Sequence, residues 1–196
     1  MVSFQRHICH DVPLRRLSRS WAGTFTLLVV SVLCAQGADF SSPLSDVTVS
    51  MSGHSTVVYQ VNDPFRGLAT GSADTPGVAS TPQAVGGVVA WVANKVVYLR
   101  IYDILQGAWK GTSVNRQDAA FVSEPVNNQG VVAWRADAAA YCAVYDPARG
   151  WRVEGFQTSA NIGTVQSVGG VAAFVSGAAS VYYLTYDPVA GVWRGG

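Results

Sequence analysis

The stretch GGVVAWVANKVVYLRIYDILQGAWKG at residues 86–111 returns as QGVVAWRADAAAYCAVYDPARGWRVEG at 129–155 and as GGVAAFVSGAASVYYLTYDPVAGVWRGG at 169–196. A degenerate fourth copy, DVTVSMSGHSTVVYQVNDPFRG, precedes them at 46–67. Several positions keep one period. Asp63, Asp103, Asp146 and Asp187 are 40, 43 and 41 residues apart. Gly67, Gly107, Gly150 and Gly191 each follow four residues later. Trp109, Trp151 and Trp193 are 42 and 42 apart, and a large apolar residue (Met51, Trp91, Trp134 or Phe174) precedes each aspartate by 12 or 13. Independent markers that hold a common period define a repeat array.

Each copy reads as four short strands. In the second, strands are expected over 81–85, 88–93, 96–102 and 108–113. Gly86-Gly87 lies between two apolar runs, which is the chemistry of a two-residue hairpin turn with positive φ at both positions. Asn94-Lys95 is the next turn, and Asn127–Gly130 is read as a longer turn in the third copy. The link after the third strand has the form Asp-Pro-x-x-Gly at 63–67, 146–150 and 187–191. The aspartate can accept backbone N–H bonds, the proline presets φ, and the glycine closes the loop in a left-handed conformation. The second copy has Ile104 in the proline place, so a looser turn is expected there.

Four strands in roughly 40 residues is the size of a propeller blade. The aromatic markers suit packing of one blade on the next. The order apolar–Gly–Gly–apolar followed by Tyr-Asp-Pro-x-x-Gly-x-Trp resembles kelch-type propeller repeats over roughly 46–196. Where kelch repeats place Gly-Gly after the apolar strand, this chain has Ala93-Asn94, Ala136-Asp137 and Ser176-Gly177. The resemblance implies rings of six or seven blades, yet only about four copies are present, approximately 39–72, 73–113, 114–157 and 158–196. Three arrangements fit that count. They are a small closed ring, an incomplete arc finished by another chain or a longer product, and an unclosed stack of sheets. An open arc exposes apolar blade faces and invites self-association.

Residues 1–38 read as a secretory signal peptide. Arg6, Arg15, Arg16 and Arg19 supply the positive start, 25–35 is apolar, and Ala35, Gly37 and Ala38 are small. The apolar run is short for spanning a bilayer, so membrane contact is expected only if the segment stays uncleaved. The chain is therefore expected outside the cytoplasm, secreted or at the periplasm or cell surface. Removing the segment takes four arginines and Asp11 with it, leaving nine basic and eleven acidic side chains. Cys9 and Cys34 leave too, so Cys142 stands without an internal disulfide partner.

Of the whole chain, 49% is apolar and only 13% charged, with net charge +1 and no charged block. That excludes a solvated disordered chain and gives no support for nucleic-acid binding. No catalytic constellation can be assembled. His54 is the one histidine after residue 38, too few for a multi-histidine metal site. The repeated aspartates are assigned to turns, and Cys142 to the core. No cofactor is implied. The expectation is an exported, non-catalytic binding or scaffold module, with a protein or carbohydrate ligand held by exposed Tyr, Trp or Arg side chains. The alternative is a fragment of a carbohydrate-active propeller enzyme using paired carboxylates.

Overall fold

A computed structural model describes residues 46–177 and 180–196 of the chain. The proposed signal peptide lies outside these residues. The described residues form fifteen strands and no helix. The first sheet comprises β1 (Thr48–Ser52), β2 (Thr56–Asp63) and β3 (Gly67–Asp74). The second comprises β4 (Gln83–Val85), β5 (Val88–Ala93), β6 (Val96–Asp103) and β7 (Ala108–Asn115). The third comprises β8 (Val126–Asn128), β9 (Val131–Ala136), β10 (Ala139–Asp146) and β11 (Gly150–Gln157). The fourth comprises β12 (Ile162–Val168), β13 (Val171–Ser176), β14 (Ser180–Asp187) and β15 (Val192–Gly195). Every sheet is antiparallel, with its strands in chain order. This is the all-β, propeller-like array expected, with one difference. The first sheet has three described strands rather than four, and the residues before 46 lie outside the described ones.

Turn chemistry accounts for the hairpins. Gly86 and Gly87 have φ of 57° and 78°, and Gly169 and Gly170 repeat them at 57° and 77°. In the third sheet the turn is only Gln129-Gly130, at 47° and 78°. It is thus two residues long rather than four, and Asn127 and Asn128 belong to β8.

The sheets pack face to face in chain order. Three apolar clusters each join neighbours: first with second, second with third, third with fourth. Among the described residues none joins the first to the fourth. Neighbouring sheets also meet near their leading strands, with β1 against β4, β4 against β8 and β8 against β12. Each sheet thus has a back face toward its predecessor and a forward face toward its successor. β5 and β9 are buried on both faces, which is why VVAWVA and VVAWRA are near-continuous apolar runs. β2 alternates instead, with Val57, Tyr59, Val61 and Asp63 buried on the forward side only.

The back faces repeat one aromatic set. Trp91 pairs across strands with Tyr98, and Tyr102 with Trp109. The third sheet repeats this as Trp134 with Tyr141 and Tyr145 with Trp151, the fourth as Phe174 with Tyr182 and Tyr186 with Trp193. Trp91 stacks on Tyr98 at 5.2 Å between centroids and 9° between planes, and Trp134 on Tyr141 at 5.5 Å and 12°. The Tyr–Trp pairs 102–109, 145–151 and 186–193 meet edge to face at 5.4, 5.6 and 5.4 Å. Truncating such a buried Trp or Phe to Ala costs about 3–5 kcal/mol.

Met51 departs from the pattern. It pairs with Val57 and packs forward, into the cluster shared with the second sheet. The β1–β2 turn has three residues, 53–55, against two at 94–95, and this extra residue shifts the register. Since a one-residue shift exchanges the faces of a strand, Ser50, opposite Val58, takes the place of Trp91.

Candidate functional site

The recurrent polar residues gather where neighbouring sheets meet, and strand alternation brings them there. Tyr-Asp is a dipeptide at 102–103, 145–146 and 186–187. Adjacent strand residues point to opposite faces, so the tyrosine reaches back and the aspartate faces forward. The Tyr102 hydroxyl donates to Asp63 Oδ2 at 2.8 Å, Tyr145 to Asp103 Oδ2 at 2.7 Å, and Tyr186 to Asp146 Oδ2 at 2.7 Å. Each link ties a sheet to the turn of its predecessor.

The other carboxylate oxygen holds the turn. Asp63 Oδ1 accepts the N–H groups of Phe65 and Arg66 at 2.8 and 3.2 Å. Asp103 Oδ1 accepts those of Leu105 and Gln106 at 2.9 and 3.0 Å, Asp146 Oδ1 that of Ala148 at 2.8 Å, and Asp187 Oδ1 those of Val189 and Ala190 at 3.0 Å each. Gly67, Gly107, Gly150 and Gly191 all have positive φ, from 65° to 83°. The turn with Ile104 makes the same pair of Oδ1 bonds as the Pro64 and Pro188 turns. The aspartate and the positive-φ glycine are common to all four turns, with or without the proline.

Arginines complete two of the links. Arg66 Nη1 donates to Asp63 Oδ2 at 3.1 Å and to the Ile104 carbonyl of the next turn at 3.0 Å. Arg149 repeats this, with Asp146 Oδ2 at 2.9 Å and the Pro188 and Val189 carbonyls at 3.1 and 3.2 Å. Glycine makes room for them: a Cβ on Gly107 would lie 2.4 Å from Arg66 Nε, and one on Gly191 2.6 Å from Arg149 Nε. The second turn has Gln106 in the arginine place, so among the described residues Tyr145 alone serves Asp103 Oδ2.

These contacts set the charge states. Burial works against the Asp63 carboxylate, but the Phe65 N–H, the Tyr102 hydroxyl and Arg66 outweigh it and hold its pKa below the usual range. Burial opposes Asp146 likewise, and the Tyr186 hydroxyl, the Ala148 N–H and Arg149 hold it low. At Asp187 the Ala190 N–H and Arg194 lower the pKa. Burial first, then the bond to Asp103, pushes Tyr145 up to about 12. Asp63, Asp146 and Asp187 are therefore anionic at neutral pH and engaged in holding the turns.

Two open grooves flank the links. The first, about 410 Å³, runs between β7 and β11 and includes Gln106, Lys110, Thr112, Tyr145, Ala148 and Trp151 in its lining. The second, about 360 Å³, lies between β11 and β15 and is lined by Trp151, Arg152, Glu154 and Trp193 among others. Neither brings two carboxylates together. Among the described residues no three His, Cys, Asp or Glu side chains cluster as metal ligands would. His54 stands exposed in the β1–β2 turn. Cys142 is fully buried between the third and fourth sheets, and burial raises its thiol well above the ordinary value.

The third residue of each Asp turn is apolar and exposed. Phe65 is 82% exposed, Leu105 78% and Val189 88%, and Ala148 is exposed at the same place. The arginine bridges hold the first turn to the second and the third to the fourth. Gln106 and Ala148 flank one groove, which brings the second and third turns together. The four tips thus form one row along an edge of the array. Sequence reasoning placed the aspartates in turns but missed the tyrosine links and the row of tips. The Tyr-Asp dipeptide, read with strand alternation, carried the signal for the links.

Compared with models of known protein families, the chain matches none, and no curated protein is significantly similar to it.

Proposed function

We propose that this chain is an exported, non-catalytic binding module of kelch-like repeats, whose protein ligand lies along the row of turn tips. The observation that carries this reading is the contrast within each turn. Asp and Gly repeat in every copy and are spent on the frame, the aspartates largely buried. The residue two places after the aspartate is exposed, and it changes from Phe65 to Leu105 to Ala148 to Val189. A constant frame presenting variable loop residues is the division of labour of a binding scaffold. Exposed apolar side chains set in a row, rather than scattered singly, suit contact with a partner. Apolar tips favour a protein surface over a sugar. The paired-carboxylate enzyme reading finds no pair in either groove.

The test compares the chain with a Phe65→Ser, Leu105→Ser, Val189→Ser variant on immobilised peptide and glycan arrays. Peptide binding by the parent that is lost in the variant, at unchanged thermal stability, is the expected result. Glycan binding that survives all three substitutions would move the site to the Trp151 and Trp193 grooves. Glycan cleavage would replace the binding reading by the enzymatic one.

A further inference from the structure

The forward faces of the second and third sheets are each covered by the next sheet. The fourth sheet has the same kind of face with nothing described upon it. Val175 opposite Val181 is the repeat equivalent of Val92 opposite Val97, and Ala173 opposite Tyr183 is that of Ala90 opposite Leu99. Val97 and Leu99 are fully buried, whereas Val181 is 66% exposed and Tyr183 51%. The face is continuous in register and chemistry with two interfaces that the chain already uses.

We infer that this face is a self-association surface, on which two copies of the chain pack fourth sheet to fourth sheet about a two-fold axis. Three observations select this occupant. First, the face is mainly apolar, with Gln166 and Thr185 beside its valines, and its charged side chains are one acid and one base, Asp187 and Arg194, paired at 3.0 Å. It carries no net charge and can oppose its own copy without repulsion. Second, the back face of the first sheet cannot serve as the mate. Where every other back face has an aromatic set, it has Ser50, Val58, Asn62 and Leu68, with exposed Ser and Thr around them. Head-to-tail stacking would bury those hydroxyls against valines without hydrogen-bond partners, which is costly. Third, a two-fold contact uses one patch twice and closes after two copies.

The experiment is the solution mass of the full chain by light scattering after size exclusion, over a concentration series. The expected mass is that of two chains, with no further growth. Val181→Glu, and separately Tyr183→Lys, should halve it while leaving the circular dichroism spectrum and thermal transition unchanged. Ser50→Glu on the first sheet should leave the dimer intact. Two variants on the same face guard against one that fails to fold. A single-chain mass at every concentration would overturn the proposal. So would a dimer indifferent to both fourth-sheet variants, which would place the contact elsewhere. A mass that climbs without limit and falls with Ser50→Glu would replace it with head-to-tail assembly.

Discussion

Replacing Tyr145 by Phe removes one oxygen and leaves the ring, with its edge-to-face contact to Trp151 at 5.6 Å, in place. What it strips is the bond to Asp103 Oδ2. Asp103 is 5% exposed, and the two N–H groups it accepts from Leu105 and Gln106 both reach Oδ1. Oδ2 would be left without a donor. A hydrogen bond to a charged group is worth about 1.5–3 kcal/mol, and orphaning a buried acceptor costs a similar amount. We therefore expect a loss of about 2 kcal/mol, or a Tm lowered by roughly 4–8 °C for a domain of this size. Urea unfolding followed by tryptophan fluorescence reads the change as a lower midpoint at an unchanged slope. Tyr102→Phe is the internal control, because Asp63 Oδ2 keeps Arg66 at 3.1 Å; its loss should be smaller. A Tyr145→Phe cost within about 0.5 kcal/mol of zero, the usual range for surface substitutions, would refute the reasoning. An equal cost for both variants would show that the arginine does not share the load.

The aspartate links also set the pH limits of stability. Asp63, Asp146 and Asp187 bind protons more weakly folded than unfolded, so their contribution is present above the ordinary value of 3.8 and is lost as pH falls below it. At the alkaline end Tyr145 is raised from 10.0 to about 12; its contribution is complete below 10.0 and disappears as pH climbs to about 12. Thermal melts across pH should thus be level through neutrality and fall at both ends. Gly155→Ala puts a Cβ 2.6 Å from the Tyr141 ring, which must leave its stack on Trp134; a cost of about 1–3 kcal/mol and a changed near-ultraviolet spectrum are expected. Gly163→Ala meets only Val175 O at 3.8 Å and should be near neutral in the same melt. In a Cys9→Ser, Cys34→Ser chain, Cys142 should react with a thiol reagent only at the rate of unfolding, because it is buried and its pKa is raised well above 9.0. Prompt reaction in native buffer would show that the third and fourth sheets do not stay packed.

What the sequence disclosed was local or periodic. Gly86-Gly87 names its own turn, because positive φ at both positions is cheap only for such residues. Asp63 and Gly67 do the same within five residues, and the period of some 40 follows from their recurrence. The parts that escaped reading depend on partners elsewhere. Tyr145 adjoins Asp146 in sequence, yet it bonds Asp103, 42 residues earlier, and nothing near it says so. Met51 sits at the expected 12 residues before Asp63, yet one extra turn residue sends it to the opposite face. Marker spacing carries the period, whereas facing depends on hairpin length. By its type alone Asn127 reads as a turn residue. In β8 its side chain instead donates to the Val85 and Val88 carbonyls of the preceding sheet, at 3.0 Å each.

The links give the array a direction. Tyr102, Tyr145 and Tyr186 donate backward, and Asp63, Asp103 and Asp146 accept from the sheet ahead. Coverage by the following sheet is what buries these carboxylates: the Asp63 side chain is 0% exposed and Asp146 6%, whereas Asp187, whose Oδ2 is met by its own sheet's Arg194, is 29% exposed. The two outer faces differ accordingly. At the first sheet, the back-face aromatic set has been exchanged for Ser50, Asn62 and their polar neighbours, which water can satisfy. At the fourth, the forward face keeps the valines that its predecessors bury. A repeat array capped at both ends would carry polar residues on both. One finished and one unfinished face within the same chain are the physical reason to look for the next partner beside Val181 and Tyr183 rather than beside Ser50.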